Sequence, residues 1–138
     1  MSEFMRFEVF GVAQPQGSSR AFVNKKTGRA IVTSSNPNLK DWRNLISVAA
    51  REEMKGLPPL DGAVEVEAVF WLPRPKSVKR ENPTVKPDLD KLTRALLDGL
   101  TNVIYRDDAQ VIRAITSKRY VDHMTPNPCA AVTVRTGE

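Results

Sequence analysis

The stretch Lys86–Ile112, KPDLDKLTRALLDGLTNVIYRDDAQVI, constrains the chain most. Leu89, Leu92, Leu96 and Leu100 recur at helical spacing, widened by Thr93 and Leu97, and predict one buried stripe on an amphipathic helix. Two acidic pairs bracket it, Asp88 with Asp90 and Asp107 with Asp108. They account for four of the 16 acidic residues in a chain with 21 Lys and Arg and a net charge of +5. Like charges held close are costly unless a proton or a cation neutralises them. Hard oxygen donors of this kind suit Mg²⁺. A basic chain, pI near 9.6, with an acidic focus predicts a polyanionic partner processed with metal help.

At 138 residues, 41% of them hydrophobic, the expectation is a single domain over residues 1–138 with a real core. No apolar run approaches the roughly 20 residues of a membrane span, and no signal-peptide pattern opens the chain, so the expected location is cytoplasmic, with no membrane partner. The single cysteine, Cys129, excludes an intramolecular disulfide and a Cys-rich zinc site. His123 is the only histidine, which disfavours histidine-based catalysis.

Along the chain, Met5–Ala13 reads as a strand. Ala21–Val23 and Arg29–Thr33 flank Asn24-Lys25-Lys26-Thr27-Gly28 as a hairpin. A helix capped by Asn36 or Asn38 runs to about Lys55, with Leu39, Trp42, Leu45, Ile46, Ala49 and Ala50 at helical spacing. Alternation over Ala63–Leu72 predicts a strand in which Phe70 and Trp71 face opposite sides. Pro73–Pro87 carries four prolines and Arg74, Lys76, Lys79, Arg80 and Lys86, which predicts a long mobile basic loop. The second helix begins between Asp88 and Asp90, with Gly99 and Asn102 marking its end. Ala109–Tyr120 and Ala130–Arg135 predict two more strands. The expected fold is α+β: a small mixed sheet with two main helices packed on it.

Asp88 can serve as a metal ligand or as an ordinary helix cap, and Asp107-Asp108 as a ligand pair or a polar turn. The helix from Asp90 to Thr101 spans about 18 Å, and Asn102–Asp108 could return that far if extended. Assembly across a dimer is the other route. In an extended segment only one of Asp107 and Asp108 faces a shared ion.

These parts resemble the RusA family of Holliday junction resolvases. The resemblance rests on Pro87-Asp88-Leu89-Asp90, Asp98-Gly99-Leu100, Asp107-Asp108-Ala109-Gln110-Val111 and Lys118-Arg119-Tyr120, about a quarter of the chain. Gly11–Arg20 is similar to the Pro-containing loop that follows the first strand in many members. The resemblance implies a homodimeric, Mg²⁺-dependent endonuclease that nicks four-way DNA junctions symmetrically in recombination, repair or phage DNA processing, with Mn²⁺ as an alternative ion. The metal ligands and catalytic carboxylates it implies are Asp88, Asp90 and Asp108. Arg94 stands where studied members carry a lysine. Arginine can clamp phosphate but stays protonated, so proton transfer falls outside its reach. Arg74, Lys76, Lys79, Arg80, Lys86, Lys91, Arg113, Lys118 and Arg119 are the expected DNA-binding residues. The competing reading is a non-catalytic module for branched or duplex DNA whose acids are only caps and turns.

Overall fold

A computed structural model describes residues 4–17, 20–23, 26–28, 30–33 and 36–137. Strand β1 (Phe4–Phe10) is followed by β2 (Arg20–Val23), β3 (Ala30–Thr33), helix α1 (Leu39–Met54), β4 (Val64–Leu72), helix α2 (Leu89–Leu100), a 3₁₀ turn (Asp108–Gln110), β5 (Val111–Tyr120) and β6 (Cys129–Thr136). The expected mixed sheet with two helices is the observed fold. Four strands form one sheet in the order β1-β6-β4-β5, and β2 pairs with β3 separately. Of the hairpin turn read from the sequence, Asn24, Lys25 and Arg29 lie outside the described residues.

In the main sheet only β4 and β5 run parallel; β6 is antiparallel to both β4 and β1. A parallel pair needs a crossover, and α2 supplies it. The alternation of β4 points Val64, Val66, Ala68, Phe70 and Leu72 toward the helices, all buried. Leu92, Leu96 and Leu100 of α2 and Trp42, Ile46 and Ala50 of α1 meet them in one core. Each fully buried leucine there contributes about 1.5–3 kcal/mol.

Several local expectations changed. The first strand stops at Phe10 because Gly11, at φ 144°, turns the chain against Trp42 and Leu45. Gly99 does not end α2. It lies inside the helix where α1 crosses, and a Cβ there would stand 2.8 Å from Ile46 Cγ2. The helix stops at Leu100, followed by Asn102 at φ 69°. The fifth strand begins at Val111 rather than Ala109 because Asp107 caps the 3₁₀ turn in a capping box with Gln110. Gln110 also donates to the carbonyls of Leu60 and Gly62, both at 2.9 Å, which anchors the turn.

Candidate active site

A helix crossing between parallel strands runs back over the sheet, so its N-terminus returns to the carboxyl ends of those strands. In open α/β sheets that edge is where ligands are bound. The N-terminus of α2 therefore sits near the ends of β4 and β5. Lys118, near the end of β5, confirms the placement: its ammonium donates to the carbonyls of Val85 and Pro87, both at 2.8 Å. Thr93 Oγ1 and Thr116 Oγ1, 2.9 Å apart, tie the helix to the same strand farther along.

Asp88 occupies the N-cap position in extended geometry (φ −72°, ψ 140°), yet among the described residues its carboxylate makes no capping hydrogen bond. Its nearest cation is Lys91 Nζ at 3.7 Å. Asp107, by contrast, caps through its side chain, accepting from the Ala109 N–H at 2.9 Å. One acidic residue is spent on structure; the other is held at a helix entrance with its oxygens exposed. Asp90 follows in the first turn and is exposed, as is Arg94 one turn later.

Asp108 is not brought to this pair within one chain. It opens the turn before β5, at the amino end of that strand and so at the opposite edge of the sheet. There it lies within electrostatic reach of Asp98, near the end of α2. Ten residues of helix rise separate Asp88 from Asp98, about 15 Å. The segment after α2 does not run back along the helix. It curls, with Asn102 donating to the Tyr105 carbonyl at 2.6 Å and Leu60 donating to the Ile104 carbonyl at 2.7 Å, and buries Val103, Ile104 and Tyr105. Among the described residues, no three Asp, Glu, His or Cys side chains of one chain converge on a metal position. Partial desolvation, then Asp107 and Asp98, raise the Asp108 carboxyl above its ordinary range. Asp98 also faces Arg43 at 4.0 Å. The Tyr105 hydroxyl donates to the Leu97 carbonyl at 2.6 Å, and burial pushes its ionisation far above the usual tyrosine range.

The basic residues separate into groups. Lys86 and Lys91 line a cavity of about 470 Å³ beside Asp88. Arg74 and Arg80 lie over the Tyr120 ring, 5.5 and 5.8 Å from its centre. Arg74 also donates to the carbonyls of Val78 and Arg80, so this arginine braces the 73–87 loop from within. Arg119 lies over Trp71 at 6.0 Å, and Arg74, Lys118 and Arg119 line a further cavity of about 650 Å³. Lys76 and Lys79 are exposed on the loop. Arg113 stands apart: it pairs in register with Glu65 near the start of β5, at the edge that holds Asp108. Lys118 is expected from the sequence to contact phosphate; its clamp on the loop leaves no local signal, because only the parallel register of β4 and β5 brings it to Val85.

Other candidates take structural roles. Cys129 is 2% exposed, and burial followed by Glu8 raises its thiol, which makes it a poor nucleophile. Trp42 is core, as read from its spacing. His123 is exposed on the β5–β6 connection. No helix among the described residues is long and apolar enough to cross a membrane.

Asp88 and Asp90 offer a fit for a hard divalent ion. Both carboxylates are exposed, neither is committed to a cap, and Mg²⁺ often takes one or two carboxylates with waters and substrate phosphate completing its shell. The family model described as Endodeoxyribonuclease RusA matches residues 13–134. A protein of Bacillus subtilis (strain 168), YqaN, described only as uncharacterized, is 28% identical over 128 residues, covering 84% of this chain and 87% of that relative.

Proposed function

The chain belongs to the RusA endodeoxyribonuclease family, and from that premise we propose that it resolves four-way DNA junctions by paired, Mg²⁺-dependent nicks, as a homodimer whose two active sites are each shared between subunits. Asp88 and Asp90 of one protomer would hold the ion together with Asp108 of the partner subunit. The observation that carries this reading is the uncommitted Asp88 carboxylate beside Lys86 and Lys91, at the carboxyl edge of the parallel strands. Topology supports the sharing. The crossover puts Asp108 at the other edge of its own sheet, so a third ligand reaches Asp88 and Asp90 from a second copy. Two sites related by a two-fold axis also suit a substrate that must be cut twice.

Bound there, Mg²⁺ would supply Lewis acidity toward water and a phosphoryl oxygen, and Mn²⁺ would suit the same oxygen donors. The chain's own residues do the rest. Arg94, one turn beyond Asp90, places a permanently charged guanidinium against the charge that builds on the phosphorus oxygens. It donates hydrogen bonds and moves no proton. Lys86 and Lys91 neutralise phosphates flanking the cut. Lys76, Lys79, Arg80 and Arg119 extend that contact along the junction arms, and Arg113 reaches an arm from the opposite edge. Arg74 and Lys118 act mainly by holding the loop that carries the others. A working location in the cytoplasm, where chromosomal or phage DNA is recombined, fits this role.

The test compares cleavage of a synthetic four-way junction with plain duplex of the same sequence, with and without Mg²⁺. Selective nicking of the junction that needs the ion is expected. Metal-independent cutting, or junction binding with no cutting at any divalent ion concentration, contradicts the proposal.

A further inference from the structure

The cavity beside Asp88 has more in it than a carboxylate and two lysines. Its other wall is the segment Val12–Gly17, which reaches α2 through the Gln16 N–H, 3.0 Å from the Lys91 carbonyl. Gln14 stands in that wall with its amide held from two sides. Its oxygen accepts from Asn36 Nδ2 at 3.1 Å, and its nitrogen donates to the Val12 carbonyl at 3.2 Å. Asn36 is itself fixed, donating to the Pro15 carbonyl at 3.1 Å while its oxygen accepts from the Asn38 N–H at 3.0 Å. A glutamine amide has two donor hydrogens and two acceptor lone pairs. One of each is used in these bonds, so one donor and one acceptor remain on an amide already oriented.

We infer that this cavity is a nucleotide subsite: it receives the base adjoining the scissile phosphate, and Gln14 determines which base is accepted. The inference rests on the reading of Asp88 as a ligand at the cut. A phosphate held there places its neighbouring sugar and base within one nucleotide of Asp88, and the cavity is the concave space at that position. Its volume of about 470 Å³ falls in the range of roughly 300–1,000 Å³ typical of small-molecule sites. The chemistry is matched: Lys86 and Lys91 supply positive charge for the phosphate, and the Gln14 amide supplies a donor and an acceptor for a base edge. Paired donor and acceptor atoms on an amide are what distinguish one base edge from another. Extruding a base is cheapest where pairing is already broken, as at a branch point. Gln14 is thus a specificity residue, and it makes no contact with Asp88 or Asp90 in any of the bonds described.

The test uses four junctions that differ only in the base adjoining the cleaved phosphate. The wild-type protein is expected to cut them at rates spread over about tenfold or more, the discrimination of one well-placed amide. In Gln14→Ala the spread should fall below about threefold while the best junction is still cut. A wild-type protein indifferent to that base, or a Gln14→Ala variant that keeps the full spread, overturns the subsite. A second readout needs no cleavage. A junction carrying 4-thiothymidine at that position is irradiated with the Asp90→Asn protein, and the crosslinked peptide is mapped. Attachment within residues 12–17 is expected; attachment only elsewhere overturns the inference. Failure of the nuclease reading looks different: no junction is cut by the wild-type protein, whatever the crosslink shows.

Discussion

Asp108 is in electrostatic contact with Asp98, at the opposite end of α2 from Asp88. The contact follows from the β4–α2–β5 crossover, which sends the residues before α2 and those before β5 to opposite edges of the sheet. If each site draws Asp108 from the partner subunit, two inactive variants should rescue each other. Mixed dimers of Asp90→Asn and Asp108→Asn protomers contain one site with both lesions and one with neither. Co-refolded mixtures are expected to nick one strand of a junction without the paired cut, at up to about a quarter of wild-type site activity if protomers mix at random. A site built within one chain would leave every mixture inactive.

Gly99 should be intolerant of the smallest side chain. Alanine normally favours a helix interior over glycine by about 1 kcal/mol. Here the added methyl would meet Ile46 Cγ2 at 2.8 Å and Ile46 Cβ at 3.0 Å, and both atoms belong to a fully buried residue. Overpacking of this kind costs about 1–3 kcal/mol. Denaturant unfolding of Gly99→Ala is expected to show a net loss of stability, and adding Ile46→Val should recover little of it, because valine keeps the Cβ and Cγ2 atoms that the new methyl meets.

Lys118→Met keeps the aliphatic stem and removes both bonds to the 85–87 carbonyls. Hydrogen bonds from a charged donor contribute about 1.5–3 kcal/mol each, less where water can replace them. Global stability should change little, since Val85 is exposed. Hydrogen exchange should quicken in residues 84–91, and junction cleavage should fall more than junction binding, because the entrance to α2 is no longer held.

Tyr105 gives the pH dependence a direction. Its buried hydroxyl ionises only far above the usual tyrosine range, so the folded state retains the proton where the unfolded chain has lost it. The contribution is constant below about pH 10 and declines as pH rises beyond it. Tyr105→Phe should lose roughly 1 kcal/mol at neutral pH, from the bond to the Leu97 carbonyl, and should show a shallower alkaline decline than the wild type. Parallel alkaline profiles for the two proteins would contradict this.

The elements were legible where periodicity was strong. Alternation over Val64–Leu72 and the leucine stripe of α2 located a strand and a helix to within a residue or two, because burial of one face leaves its period in the sequence. What the sequence concealed was the pairing. Nothing local in Val111–Tyr120 says that it lies parallel to β4, and without that register the two aspartate pairs can be imagined at one end of α2. Gly99 resembled a stop signal because its need for a small residue comes from Ile46, 53 positions earlier. Asp88 and Asp107 each open an acidic pair at the start of a helical turn, yet only Asp107 caps. The Gln110 side chain, which decides this by completing the capping box, is the one local signal that could have separated them.

The central claim is that Asp88 and Asp90 hold the ion that cuts DNA, and Asp90→Asn tests it most directly. The variant removes one negative charge and no volume at an exposed position, so folding should be unaffected. Junction binding measured in Ca²⁺ is expected to match the wild type within about threefold, while Mg²⁺-dependent nicking falls by at least about a thousandfold. Nicking at the wild-type rate would contradict the account.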